Sequence, residues 1–219
     1  MKEDSLSNQD VAQVAPEKRS EADFSVLFLR FAIYLAILVA GLSLDLGTKN
    51  WMFEHLGLPG EYLSEEQPQA NATWWIIDGV FGFQTSLNQG ALFGMGQGKA
   101  HLFALFSFVA IAGILVWLFF FRGLSSLFLT VVLGMLSAGI LGNLYDRLGM
   151  HGLKWNHAGQ FHEAGDPVCA VRDWILVMIG NWPWPNFNIA DSLLVCGAIL
   201  LAIFTFLSEE RGERREERG

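Results

Sequence analysis

Phe187-Asn188-Ile189-Ala190-Asp191 runs straight into the apolar segment Ser192 to Leu207, and this junction decides the fold. A membrane-spanning helix needs roughly 20 predominantly apolar residues, so Asp191 stands at the mouth of an expected span. Placing a carboxylate there costs free energy unless a partner or a task compensates. A helix N-cap is the structural alternative, because Asp accepts well from the orphan N–H groups of a first turn. Asp191 is not alone, however. Asp173 precedes it, and the peptide between them holds Trp174, Trp182, Pro183, Trp184 and Pro185, with only Trp174 to Ile179 continuously apolar. That connection is too short and too interrupted to cross a bilayer. The two acids are therefore expected on the same side, close enough to pair.

Composition agrees with a membrane protein. The chain of 219 residues is 52% hydrophobic and only 16% charged, too apolar for an ordinary soluble domain. Half of the net charge of −8 comes from the two polar tails, and no basic patch suggests a nucleic-acid partner. Cys169 lies in a polar loop and Cys196 in an apolar run, a difference in depth that argues against a disulfide between them.

Outward from the junction, the chain divides by hydropathy. Residues 1–23 read as a disordered polar tail. Four spans are expected over about 24–44, 101–121, 124–144 and 189–207, with Arg122 and Gly123 forming the tight turn of a helical hairpin. Between the first two, the β-branched and aromatic cluster Trp74 to Leu87 suggests a small extramembrane β-element. Residues 150–170 form a polar outer insertion, and 208–219 a charged tail. The fold class is thus a mainly α membrane protein of four helices with a small sheet on its outer face. Arg30, Arg122, Arg211, Arg214 and Arg215 fall on one side of this arrangement, with Lys18 and Arg19 beside them. That side is expected to be cytoplasmic, with both termini inside.

With the spans placed, the polar residues at helix ends gather at the outer depth. The first helix exits through Asp45 to Lys49, the second is entered after Asn88 to Gly94, the third exits through Gly142 to Arg147, and the fourth begins at Asn188 and Asp191. Each set has a structural alternative. Asp45 and Lys49 form an i, i+4 pair that can support a helix end, Asn143, Asp146 and Arg147 can satisfy a helix terminus, and Asn88 among glycines can be a turn residue. Convergence at one depth favours a site. Asp146 is expected to hold Arg147.

The motifs Asp-x-x-Thr-Lys (Asp45 to Lys49), Asn-x-Gly-Ala (Asn88 to Ala91), Gly-Asn-x-x-Asp-Arg (Gly142 to Arg147), Val-x-Asp-aromatic (Val171 to Trp174) and Phe-Asn-x-Ala-Asp (Phe187 to Asp191) resemble, in this order, bacterial lipoprotein signal peptidase, signal peptidase II. The resemblance runs from about Phe24 to Leu207, and the 150–170 insertion is longer than the family pattern carries. It implies an aspartyl endopeptidase of the bacterial inner membrane that cuts prolipoproteins before the diacylglyceryl-modified cysteine. It also implies that Asp173 and Asp191 are the catalytic pair. Asn88, Gly90, Asn143, Arg147 and Asn188 are then candidates for binding substrate or supporting the dyad, and Asp45, Lys49 and Asp146 for structural support. No cofactor or metal is expected, membrane lipid surrounds the enzyme, and it is taken to act as a monomer.

Two other classes fit the residues less well. An ion-coupled transporter needs polar groups through the membrane thickness, whereas the helix centres here are apolar. A metal-dependent hydrolase could draw on His151, His157, His162, Glu163 and Asp166, but their spacing matches no helical His-x-x-x-His pattern, and a solvated loop explains them.

Overall fold

A computed structural model describes residues 15–59, 73–90, 96, 98–120, 124 and 126–216. Helix α1 spans Ala15–Leu56, α2 Ala100–Phe120, α3 Leu127–Arg147 and α4 Ile189–Glu216. Each contains a stretch long and apolar enough to cross a membrane. Strands β1 (Trp74–Ile77), β2 (Phe81–Asn88), β3 (Val171–Ile179) and β4 (Trp182–Pro183) form one antiparallel sheet in the order β1-β2-β3-β4.

The four-span expectation holds, and its boundaries move. Helix α1 begins at Ala15, inside the expected polar tail, and continues past residue 44, so Asp45 and Lys49 lie within the helix rather than at its end. Helix α3 runs three residues beyond the expected end, which puts Asp146 and Arg147 in its last turn. The tail after residue 207 continues α4 as helix. A helix need not stop where its apolar run stops, provided the polar side chains beyond find partners. The expected turn at Arg122 and Gly123 and the motif residues Ala91 to Gly94 lie outside the described residues.

Helix α3 is the axis of the bundle, packing on α1, α2 and α4. Two glycines allow the closest approaches. A Cβ at Gly139 would come within 2.6 Å of the Ala190 carbonyl, and one at Gly142 would collide with the Asp45 carboxylate. At the end remote from the sheet, Tyr34, Leu118, Leu124, Leu129 and Leu133 form an apolar cluster, where Arg30 Nη1 donates to the Leu124 carbonyl at 2.7 Å. At the sheet end, Met52 and Phe53 of α1 pack with Trp174 and Ile175 of β3.

Strand β3 was not foreseen. Its central position between β2 and β4 buries Val171 to Leu176 on both faces, so the alternation that marks a half-exposed strand is absent. Beyond β4 the chain returns to pair again with β3. The Phe187 carbonyl accepts from the N–H groups of Trp174 and Ile175 at 3.1 and 2.9 Å, and Phe187 N–H donates to the Ile175 carbonyl at 3.2 Å. This contact brings the start of α4 beside Asp173.

Candidate active site

Asn188 stands one residue before α4, where a helix start leaves N–H groups without partners. Its Oδ1 accepts from Asp191 N–H at 2.8 Å, while Asp191 Oδ2 accepts from Asn188 N–H at 3.2 Å. These reciprocal bonds make a capping box in which Asn188 is the cap and Asp191 the third helical residue. The helix start thus fixes the direction of the Asp191 carboxylate. Because Asn188 Oδ1 is engaged in the cap, its Nδ2 is free to donate elsewhere, and it does so to Asp173 Oδ1 at 2.7 Å and to Asn143 Oδ1 at 3.2 Å. Asn188 therefore touches both carboxylates, Asp173 through its side-chain amide and Asp191 through its backbone N–H.

Asp173 comes from β3, in register with Ser86 of β2. It is 2% exposed, and the side chains of Asn188 and Asn88 both hydrogen-bond to it. Asn88 is aimed by a tight turn, since its Oδ1 accepts from Gly90 N–H at 3.0 Å. Burial, then the neighbouring Asp191 charge, hold the Asp173 carboxyl well above the usual carboxylate range.

Asp191 Oδ1 accepts from Asn143 Nδ2 at 2.7 Å. The orientation of Asn143 follows from what lies behind it. Lys49 can only donate, and its three donors meet Asp45 Oδ2 at 2.7 Å, Asp146 Oδ2 at 3.1 Å and Asn143 Oδ1 at 3.1 Å. Asn143 must therefore offer its oxygen to the lysine and its amide nitrogen to Asp191. Asp45 completes the support, its Oδ1 accepting from Ala190 N–H at 2.9 Å. Lys49, Asp45 and Asp146 have no exposed side-chain surface.

Asp146 does not hold Arg147. Adjacent helical residues point about 100° apart, and Asp146 faces inward to Lys49 and to Arg172. Arg172 Nη2 and Nε lie 2.9 and 3.0 Å from Asp146 Oδ1, and its backbone N–H donates to Asp146 Oδ2 at 3.0 Å. Its Nη1 donates to Asn50 Oδ1 at 2.7 Å. Arg172 and Asn50 were missed in the sequence, although a basic residue beside Asp173 in an otherwise apolar run is a signal of buried pairing.

Arg147 points to another surface, with its guanidinium carbon 5.6 Å from the Phe103 ring centroid. Among the described residues it makes no ion pair, but the charges of Asp191, Asp173 and Asp146 act on it. Together with Asn143 it closes one end of a cavity of about 240 Å³, whose walls include Phe106 and Ala110 of α2, Ile140 of α3 and Leu194 of α4.

The histidine loop is organised differently. Trp155 and His162 stack at 3.6 Å between centroids, and no group of three metal-ligating side chains occurs among the described residues. His151 Nδ1 accepts from Leu153 N–H at 3.1 Å. Burial, then the Arg172 charge, lower its pKa to about 4.

A family model described as signal peptidase (SPase) II matches residues 37–207, an interval that includes every residue of the site. The lipoprotein signal peptidase of Rhodopirellula baltica is 44% identical over 178 residues, which cover 81% of this chain and 73% of that protein. The enzyme of the same name from Clostridium novyi is 32% identical over 169 residues, covering 77% and 93%. A solved bacterial membrane enzyme, determined by the in meso method at 2.3 Å resolution, superposes with a TM-score of 0.63 at 23% identity, covering 82% of this chain and 91% of its own, a likeness of fold. Sequence, architecture and the extent of the match agree, and the chain belongs to the signal peptidase II family of aspartic-type membrane peptidases.

Proposed function

We propose that Asp173 and Asp191 are the catalytic pair of an endopeptidase that releases the signal peptide of prolipoproteins by cutting before the diacylglyceryl-modified cysteine. The observation that carries this reading is that Asn188 bridges the two carboxylates, one from a strand and one from a helix start. Two acids this close do not both ionise cheaply. Asp173, buried and raised, keeps the proton. Asp191, less buried and accepting from Asn143 and from Asn188 N–H, serves as the base in this reading. It takes a proton from water as the water attacks the scissile carbonyl, while Asp173 donates to the carbonyl oxygen, giving a gem-diol intermediate. Collapse of that intermediate returns a proton to the leaving amine.

The α2–α3–α4 cavity suits the apolar signal peptide, and its Arg147 and Asn143 end leads to the acids. Acyl chains that stay in lipid contribute roughly 0.8 kcal/mol per buried CH₂ to holding the substrate at the membrane. Lys49 and Arg172 are paired inside the protein. The basic residues left near the remote end favour a cytoplasmic placement of both termini. The enzyme acts without a metal and as a monomer.

The test is cleavage of a diacylated prolipoprotein peptide by the purified protein in detergent, with and without a chelator. Asp173→Asn and Asp191→Asn each abolish cleavage while the protein stays folded, and EDTA leaves the parent rate unchanged. Full activity in either variant, or a chelator loss restored by zinc, rejects the reading.

A further inference from the structure

A second cavity, of about 250 Å³, opens beyond the helix ends, between the 150–170 insertion and the first residues of α2. Gln89 forms part of its wall. That residue lies between Asn88, which bonds to Asp173, and Gly90, whose N–H aims Asn88, so the cavity begins one residue from the dyad's support.

The insertion is built rather than merely solvated. Trp155 N–H donates to the Asp166 carbonyl at 2.9 Å and Gly165 N–H to the Trp155 carbonyl at 2.7 Å. The Trp155–His162 stack forms one wall, and the Phe161 ring packs so tightly on Gly98 that a Cβ there would lie 2.7 Å from it. Asp166 is the carboxylate among the described lining residues, oriented by Glu163 N–H, which donates to its Oδ2 at 2.8 Å.

The two cavities follow one another along α2, the second beside Ala100 and His101 and the helical one beside Phe103 to Ala110. The helical cavity ends at Asn143 and Arg147 and takes the part of the substrate that lies in the membrane. The peptide on the other side of the scissile bond must leave away from the helices, toward the insertion. We propose that the second cavity is the subsite for the residue that follows the lipidated cysteine, and that Asp166 makes it favour polar uncharged or basic side chains over acidic ones. This subsite rests on the peptidase reading above.

Three diacylated peptides that differ only at that residue, Ser, Lys or Asp, test it through kcat/KM. The parent is expected to cut the Lys peptide faster than the Asp peptide by about fivefold or more, the size of a partly screened charge effect. Asp166→Asn should bring that ratio close to one, whereas Glu163→Gln, a nearby carboxylate outside the described lining, should keep the parent's ratio. A parent ratio near one overturns the subsite, as does an equal change in both variants, which would mark a general charge effect. A parent that cuts none of the three peptides removes the peptidase reading itself, a result separate from a missing preference.

Discussion

The side-chain amide of Asn188 has one acceptor and two donor hydrogens, and the site uses all of them: the cap takes the oxygen, and Asp173 and Asn143 take the nitrogen. Arg147 is its opposite, a cation with a ring beneath it and a cavity in front. A guanidinium left open in this way suits a substrate carbonyl, which its planar fork can grip and a lysine cannot. Arg147→Lys is therefore expected to lower the cleavage rate per folded molecule by one or more orders of magnitude, since a lost donor at a developing charge costs roughly 2.7 to 4 kcal/mol. Lys154→Arg, at an exposed residue of the insertion, serves as the control. Equal rates for both variants and the parent would leave Arg147 as a headgroup anchor only.

Strand β3 and helix α3 are joined by the Asp146–Arg172 fork, and through it Asp173 is placed relative to Asn143. Breaking one partner of a buried pair strands the other charge, a loss of about 3–5 kcal/mol. Asp146→Asn and Arg172→Gln should each lower the melting temperature in detergent, and the double variant should lose less than the sum, with a coupling of roughly 0.5–3 kcal/mol. Strict additivity would show that the fork does not act as a unit. The elements differ in how plainly the sequence announces them. Apolar runs announced all four helices because hydrocarbon demands about 20 such residues, and the glycine-broken cluster at Trp74 announced β1 and β2. Strand β3 stayed hidden because Arg172 and Asp173 interrupt its apolar pattern, and only the tertiary partners Asp146 and Asn188 make those residues acceptable inside. The acids and asparagines of the site were legible as motifs. The partner of Asp146 was not, because sequence adjacency to Arg147 says nothing about which face of a helix a side chain takes.

As a whole molecule the protein is polar at one end and plain at the other. Described polar clusters sit with the sheet, while the remote end offers Arg30 on the Leu124 carbonyl and an apolar packing cluster. Single cysteines at Asn156 are expected to be labelled by an impermeant reagent from outside the cell, and those at Ser126 or Ser208 only once the cytoplasm is opened. Labelling of Asn156 and Ser126 positions from the same side would break the four-span topology. Trp74, Trp182 and Trp184 are exposed along the sheet, and such rings are of the kind enriched at membrane–water interfaces.

The order in which the buried charges leave the ribosome matters as well. Asp45 and Lys49 emerge together on α1 as a pair that is neutral from the outset. Asp146 follows on α3 without a cation of its own, so the nascent cluster carries one uncompensated negative charge. Arg172 cancels it only after the whole insertion has been made and β3 has been threaded back against α3. The last helix then docks its first turn on an acid that has been waiting since the first, through Ala190 N–H on Asp45. The proposed pair of acids therefore forms only once β3 and α4 have both joined α1 and α3, and the earlier elements alone carry no such pair.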